Sequence, residues 1–312
     1  MLEKDSRILV LGASGLVGSS IHQLLTEKGY NDITAPSSRD YDLTDEVQTS
    51  ELFEEAHPEY VFLAAAHVGG ILANNTNPVS FIIANTLIQT HVIMNASHYR
   101  VKKLLFLGSS CIYPKLCQQP IKEEYLMTGA LEPTNSAYAV AKISGIEMCK
   151  SYNKQFRTNF ICAMPTNIFG EKDNFDLEKS HVVPAMIAKF AQAKRNKESS
   201  VTLWGTGSPK REILYNRDLA EACLFLMQSY DATPDDCLIN IGYGEDFTIK
   251  QLAEMVRDAS EHQCDIVWDT SKPDGTPRKL LDCNKINNLG WKAKYKVSDM
   301  INKVYKDYED NL

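Results

Sequence analysis

Three glycines at positions 12, 15 and 18 stand where a short apolar run, residues 7–11, gives way to a helical stripe. This junction limits the fold more than any other feature. Residues 15–28 place Leu16, Val17, Ile21, Leu24 and Leu25 on one helical face. In the turn Gly12, Ala13, Ser14, Gly15, Leu16, Val17, Gly18, the glycines permit a tight bend. They also let backbone N–H groups approach a pyrophosphate at the positive end of the helix. Glycines at this spacing also occur in ordinary turns; the strand before and the helix after make a dinucleotide site the expectation.

The alternation continues along the first half. Residues 33–35 read as a weak strand, Glu46–Ala56 as a helix, 60–64 as a strand and 78–100 as a long helix. Residues 103–108 contain Leu-Leu-Phe-Leu, the mark of a strand covered on both faces. Residues 137–156 read as a helix and 159–164 as a strand. Taken as six strand–helix steps, the pattern predicts an α/β fold built on a Rossmann-type doubly wound parallel sheet. After Thr166 the rhythm breaks: residues 170–180 hold four acids without periodicity and read as a loop or linker. Helices near 182–197, 216–230, 248–260 and 297–308, with strands at 201–204 and Leu238–Ile241, predict a smaller α/β lobe. Parts of it are expected to return to the sheet. The expected division is 1–170 plus about 213–247 for a dinucleotide-binding lobe, and about 171–212 plus 248–312 for a substrate lobe.

Charge and cysteine usage narrow the function. Thirty-three basic against forty acidic side chains give a net charge of −7. A protein that mainly grips nucleic acid or an anionic membrane needs the opposite sign, so any bound anion must be held by a local cluster. No apolar run is read as approaching the roughly 20 residues that span a bilayer. The first residues, with two acids before a five-residue apolar run, are expected to be no secretory signal. Eight cysteines lie scattered with no C-x-x-C or zinc spacing, which fits reduced thiols in a cytoplasmic protein. The seven histidines form no H-x-x-x-H pair, so no metal site is expected.

The end of the second strand decides which dinucleotide fits. An acid there would accept the adenine ribose 2′-hydroxyl. Here Ser37 and Ser38 precede Arg39, a set that suits a 2′-phosphate and favours NADP; Asp40 follows directly and keeps NAD open. Further on, Tyr138 and Lys142 stand one helical turn apart. A nearby ammonium is expected to lower the tyrosine pKa, so that Tyr138 passes a proton to a carbonyl oxygen as hydride arrives. Such pairs are common on surface helices. This one gains weight from Ser109, at the carboxyl end of the 103–108 strand, where open α/β sheets place ligands.

These motifs resemble the extended short-chain dehydrogenase/reductase family, and within it the bifunctional epimerase/reductases of GDP-4-keto-6-deoxy-D-mannose. The resemblance rests on the glycine turn, Leu63-Ala-Ala-Ala66, Val68-Gly-Gly-Ile71, Asn74-Asn-Thr76, Gly108-Ser-Ser-Cys-Ile-Tyr-Pro114 and Tyr138-x-x-x-Lys142. It extends through Met164-Pro-Thr-Asn167, Ser180-His-Val182, Trp204-Gly205 and the Lys272–Asp282 segment, nearly the whole chain. It implies an NADPH-dependent oxidoreductase with isomerase activity, a GDP-sugar substrate and a homodimer paired through the helices at 78–100 and 137–156.

The resemblance also assigns residues. Ser109, Tyr138 and Lys142 would carry reduction at C4, and Cys111 and His181 the inversion of C3 and C5. Protons at C3 and C5 flank the C4 ketone, so their removal gives an enolate. Thiol and imidazole are the side chains that titrate nearest neutral pH. Without the resemblance, Cys111 reads as a packing cysteine and His181 as a solvated loop histidine. For the cofactor the resemblance adds Asp42, Leu43, Ala64, Ala65, Leu107, Gly108, Ser110, Pro165, Thr166, Asn167 and Ile168, with Lys142 and His181. For the nucleotide-sugar it points to Lys189, Trp204, Arg211 and Asp274, with Lys210, Arg278 and Lys279 available to wrap a diphosphate. One departure stands out: some members carry an arginine in the first glycine turn where this chain has Ser14. That shifts the NADP preference onto Arg39. Two other readings stay open. One is an enzyme acting on a related GDP-4-keto sugar, a 3,6-dideoxy sugar or a heptose. The other is a non-catalytic NADP(H)-sensing protein.

Overall fold

The structure is a computed structural model and describes residues 2–177, 180–272 and 274–312. Six parallel strands form the central sheet. In sheet order they are Leu238–Ile241, Phe160–Pro165, Lys103–Leu107, Tyr60–Leu63, Ile8–Leu11 and Ile33–Thr34. All but the last are buried at every position, as largely apolar runs require, with Lys103 and Asn240 the polar exceptions. One helical layer packs Leu16–Glu27 on Asn216–Ser229; another packs Pro78–His98 on Ser136–Phe156, with Glu46–Ala56 alongside. The strand order reverses at Ile8–Leu11, which pairs with Ile33–Thr34 on one side and Tyr60–Leu63 on the other. A crevice therefore opens beyond the carboxyl ends of Ile8–Leu11 and Tyr60–Leu63.

A second apolar core joins the helices Val182–Asn196, Ile249–Ser260 and Val297–Asp310 to the strands Ser200–Trp204 and Asp265–Asp269. Thr248 and Gln251 start Ile249–Ser260 with a capping box, two reciprocal side-chain bonds to the first turn.

The structure departs from the sequence reading in four places. Only five sheet strands, not six, come from the first half; the sixth, Leu238–Ile241, returns from the second, as expected of parts of that half, and pairs with Phe160–Pro165. Short elements escape periodicity: the helices Ile71–Thr76 and Asn284–Leu289, and strands such as Asn167–Phe169, paired with Ile213–Tyr215. The lobe boundaries are also more interleaved than the expected division. Leu281, Cys283, Ile286 and Trp291 pack in the first core, because Asn284–Leu289 lies against Leu238–Ile241, whereas Phe169, Ile213 and Tyr215 pack in the second. Finally, Pro78–His98 is 21 residues long and apolar enough, by length and composition, to cross a membrane. Its buried Asn85, Gln89, His91 and Asn95 side chains bond to protein groups, and it packs on Ser136–Phe156 as a core helix.

Within 170–180, residues 178 and 179 lie outside the described residues, as does Pro273 of the Lys272–Asp282 segment.

Candidate active site

The glycine turn sits at the switch-point crevice. Gly12 has φ +87°, and a Cβ there would lie 2.7 Å from the Ala65 nitrogen; one on Gly18 would lie 2.1 Å from the Gly12 oxygen. Neither position takes a side chain. Gly12 thus lies against Ala64 and Ala65, while the N-terminus of Leu16–Glu27 carries no side-chain cap. Uncapped N–H groups beside a flat glycine turn fit the pyrophosphate of a dinucleotide. Ala13 is half-buried and Ser14 exposed at the turn's surface, with Leu16 and Val17 half-buried behind.

At the ribose end, Arg39 is exposed and its guanidinium enters no ion pair among the described residues. Asp40 is engaged differently: its carboxylate accepts from the Ser37 N–H at 2.8 Å and hydroxyl at 2.7 Å, and these bonds hold it below its ordinary pKa. The acid that kept NAD open thus closes its own turn. Asp42 likewise accepts from the Thr44 N–H and hydroxyl, and the Leu43 carbonyl accepts from His91 Nδ1 at 3.1 Å. At the crevice's far side, Pro165 ends a sheet strand and Thr166 and Asn167 both donate to the Glu212 carbonyl, at 3.1 and 3.2 Å. Ile168 follows, half-buried.

The strand Lys103–Leu107 delivers Leu107, Gly108, Ser109, Ser110 and Cys111 in succession beyond its carboxyl end, and Ser136–Phe156 presents Tyr138 and Lys142 to them. Lys142 Nζ donates to the Leu107 carbonyl at 2.9 Å and lies 4.7 Å from the Phe106 ring centroid and 5.8 Å from that of Tyr138. Burial pulls Lys142 down to about 8, with Cys111 opposing the shift. The expected depression of the Tyr138 pKa is overturned. Burial, and then Cys111, push the phenol upward, because the surrounding protein disfavours a phenolate while Lys142 turns its ammonium onto the Leu107 carbonyl. That direction favours the protonated phenol. Phe81 meets the Tyr138 ring edge-on at 6.4 Å and makes a tilted ring contact with His67 at 4.5 Å.

Cys111 is buried, and its Sγ donates to Ser109 Oγ at 3.1 Å. His181 caps the Val182–Asn196 helix as its first flanking residue. It keeps solvent contact, yet the protein around its ring, and then the Lys279 cation, hold the imidazole below its ordinary pKa. Lys279 bears on Cys111 as well: its own charge is disfavoured by burial and supported by the thiol. Lys279 thus bears electrostatically on both Cys111 and His181.

The nucleotide-sugar candidates gather in the second lobe. Trp204 is 62% exposed, with Lys189 Nζ 5.9 Å and Lys272 Nζ 5.6 Å from its ring centroid. Lys189 also donates to the Thr202 carbonyl, and burial lowers its pKa. Arg211 spends donors on the carbonyls of Lys210 and Thr276, and its strand pairs Arg211 with Lys279. Asp274 accepts from the Thr206 N–H at 2.9 Å and hydroxyl at 2.7 Å, against Gly205 at φ +80°. It shapes the loop directly. Lys210 and Arg278 stay exposed, and Arg278 is tied to Asp246. Among the described residues no group of His, Cys, Asp and Glu could hold a metal ion.

Sequence reasoning missed Phe81, Thr206 and Glu212. Glu212 is fully buried, accepting from the backbone of Gly244 at 2.8 Å and Leu281 at 3.0 Å. The one available signal was the acid immediately after Arg211 in an apolar stretch.

Residues 8–242 match the model of the NAD dependent epimerase/dehydratase family. GDP-L-fucose synthase 1 of Arabidopsis thaliana is 47% identical over 312 residues, covering all of this chain and 96% of that protein. A GDP-6-OMe-4-keto-L-xylo-heptose reductase from C. jejuni superposes with a TM-score of 0.94 at 36% identity, covering 100% of this chain and 99% of that one. A GDP-L-fucose synthetase from Naegleria fowleri, bound to NADP, gives 0.92 at 28% identity, covering 100% and 96%.

Proposed function

The chain belongs to the NAD dependent epimerase/dehydratase family, and within it we propose that it is a GDP-L-fucose synthase: an NADP-dependent enzyme that inverts C3 and C5 of GDP-4-keto-6-deoxy-D-mannose and reduces C4. The observation that carries the reading is the bond between Cys111 and Ser109, which sets an acid–base thiol beside a reductase hydroxyl.

The chemistry follows from the residues. With the C4 oxygen held by the hydroxyls of Ser109 and Tyr138, loss of a proton from C3 or C5 leaves charge on that oxygen, where two donors meet it. Cys111 and His181 remove and return that proton; a neutral imidazole can accept one, and the thiol can donate one. Bound in the crevice, NADPH supplies the hydride for C4. Tyr138, kept protonated by burial, gives the oxygen its proton, and Lys142 behind it is poised near pH 8 to support the exchange. Arg211, Lys189 and Trp204 receive the GDP portion, and Arg39 the 2′-phosphate of the cofactor. The enzyme works as a cytoplasmic homodimer. Exposed Val79, Ile83, Leu87 and Met94 on Pro78–His98, with Val140 on Ser136–Phe156, suit a helix-paired interface. Light scattering would then return twice the 35.0 kDa of one chain.

The C. jejuni resemblance supports a second reading, a reductase of a GDP-4-keto heptose. Product analysis by NMR after NADPH oxidation, with the 6-deoxymannose, 3,6-dideoxy and heptose substrates in parallel, separates them. GDP-L-fucose from the first substrate, at the highest kcat/KM, is the expected result. Preferential turnover of another sugar, or no NADPH consumption with any, would overturn it.

A further inference from the structure

His181 is placed by the two segments that meet at it, and both are anchored on the same element. Upstream, Glu171 opens the acidic loop; its carboxylate accepts from Tyr215 Oη at 2.5 Å and from Lys303 Nζ at 2.5 Å, and Lys303 also donates to Tyr215 Oη at 2.8 Å. Four residues on, the Phe175 ring stacks on Tyr308 with centroids 4.4 Å apart and planes 30° from parallel. Downstream, Val182–Asn196 is tied near its far end: Lys194 pairs with Glu309 at 2.7 Å and lies 5.9 Å over the Tyr305 ring. Lys303, Tyr305, Tyr308 and Glu309 all belong to the C-terminal helix Val297–Asp310.

We infer that this helix is a positioning element for His181, acting through Lys303 and Tyr308 on the loop before it. The inference rests on the epimerase role proposed above for His181. The contacts carry more than packing. Burial opposes the Glu171 charge, yet Lys303 and Tyr215 outweigh it and hold the carboxyl below its usual range. A carboxylate fixed by an ammonium and a phenol anchors the start of the loop, and the Phe175–Tyr308 contact anchors it again four residues on. Ser109, Tyr138 and Lys142 stand instead on elements of the first core. Loosening the C-terminal helix should therefore disturb proton transfer at C3 and C5 while sparing reduction.

The test is a partition measured in D₂O, with GDP-4-keto-6-deoxymannose and NADPH. Deuterium entry at C3 and C5 reports the Cys111–His181 pair; C4 reduction of a sugar left uninverted reports Tyr138. Lys303→Met should cut deuterium entry about 10- to 100-fold, the cost of misplacing a reacting group by roughly an ångström. NADPH affinity should stay within about twofold, and uninverted C4-reduced sugar should accumulate. Lys303→Arg, which keeps the charge, should restore exchange. In a His181→Ala background, Lys303→Met should cost nothing further, because residues that act through one another are not additive. Should Lys303→Met fail to fold, Tyr308→Leu removes only the stack and is read by the same criteria. Equal loss of exchange and reduction, or full additivity with His181→Ala, would overturn the inference. A wild-type enzyme that takes up no deuterium would instead sink the epimerase reading beneath it.

Discussion

The Cys111 thiol donates to the Ser109 hydroxyl across 3.1 Å, so the groups assigned to inversion and to reduction share a hydrogen bond. A thiol that served only as filler would have no need of that partner, and Cys111→Ser discriminates. The exchange keeps the size almost unchanged but replaces a thiol with a hydroxyl that hardly ionises in water. GDP-L-fucose formation should collapse by roughly 10²-fold or more, the usual worth of a positioned acid–base group. Folding and NADPH binding should survive, and incompletely inverted products should appear by NMR. A wild-type yield from Cys111→Ser would return the residue to packing.

Arg39 and Asp40 divide the cofactor question. Asp40 is bound to Ser37, which leaves the Arg39 guanidinium as the group that can meet a 2′-phosphate. Arg39→Ala should weaken NADPH by about 10- to 100-fold, the worth of one charge-assisted contact, and NADH hardly at all. Equal losses in Kd for the two cofactors would place Arg39 elsewhere.

Burial sets Lys142 at about 8, which predicts the alkaline limb of reduction. As pH rises through that value the ammonium loses its proton, and kcat/KM, which reports the free enzyme, should fall above pH 8. Lys142→Arg cannot deprotonate in this range. Its residual activity should therefore lack the limb; an unchanged inflection would assign it to another group.

Asp173 makes the corresponding prediction for stability. Its Oδ1 accepts from the Asn174 N–H at 2.8 Å, while buried Oδ2 finds no partner among the described residues, and burial pushes the carboxyl up to about 7. An unfolded aspartate titrates near 3.9, so the folded chain holds the extra proton between these values. Its contribution is fully present below about pH 4 and is lost as pH rises through 7. Asp173→Asn should accordingly raise Tm at pH 8 and leave it unchanged near pH 4. A chain of this size gains about 2–4 °C per kcal/mol. An equal shift at both pH values would show that the gain is not electrostatic.

The sheet was legible because its physics is local: buried parallel strands must be continuously apolar, and the Leu-Leu-Phe-Leu of Lys103–Leu107 cannot be misread. The glycine turn was equally open, since Gly12 and Gly18 face backbone at distances no Cβ survives. What stayed hidden depends on contacts far apart in sequence. Lys142 and Tyr138, four residues apart, suggested a lysine that lowers a tyrosine pKa. The tertiary fold turned the ammonium onto the Leu107 carbonyl and buried the phenol. Glu212 ties Gly244 and Leu281 from 32 and 69 residues away, and no spacing rule reports such a hub.

The central claim is that one pocket holds two chemistries run by different side chains, and Tyr138→Phe in D₂O tests it most directly. Without the phenolic proton, C4 reduction should fall roughly 10²-fold or more, while deuterium still enters C3 and C5 through Cys111 and His181. Deuterium entry that vanishes while reduction survives would contradict the division of labour outright.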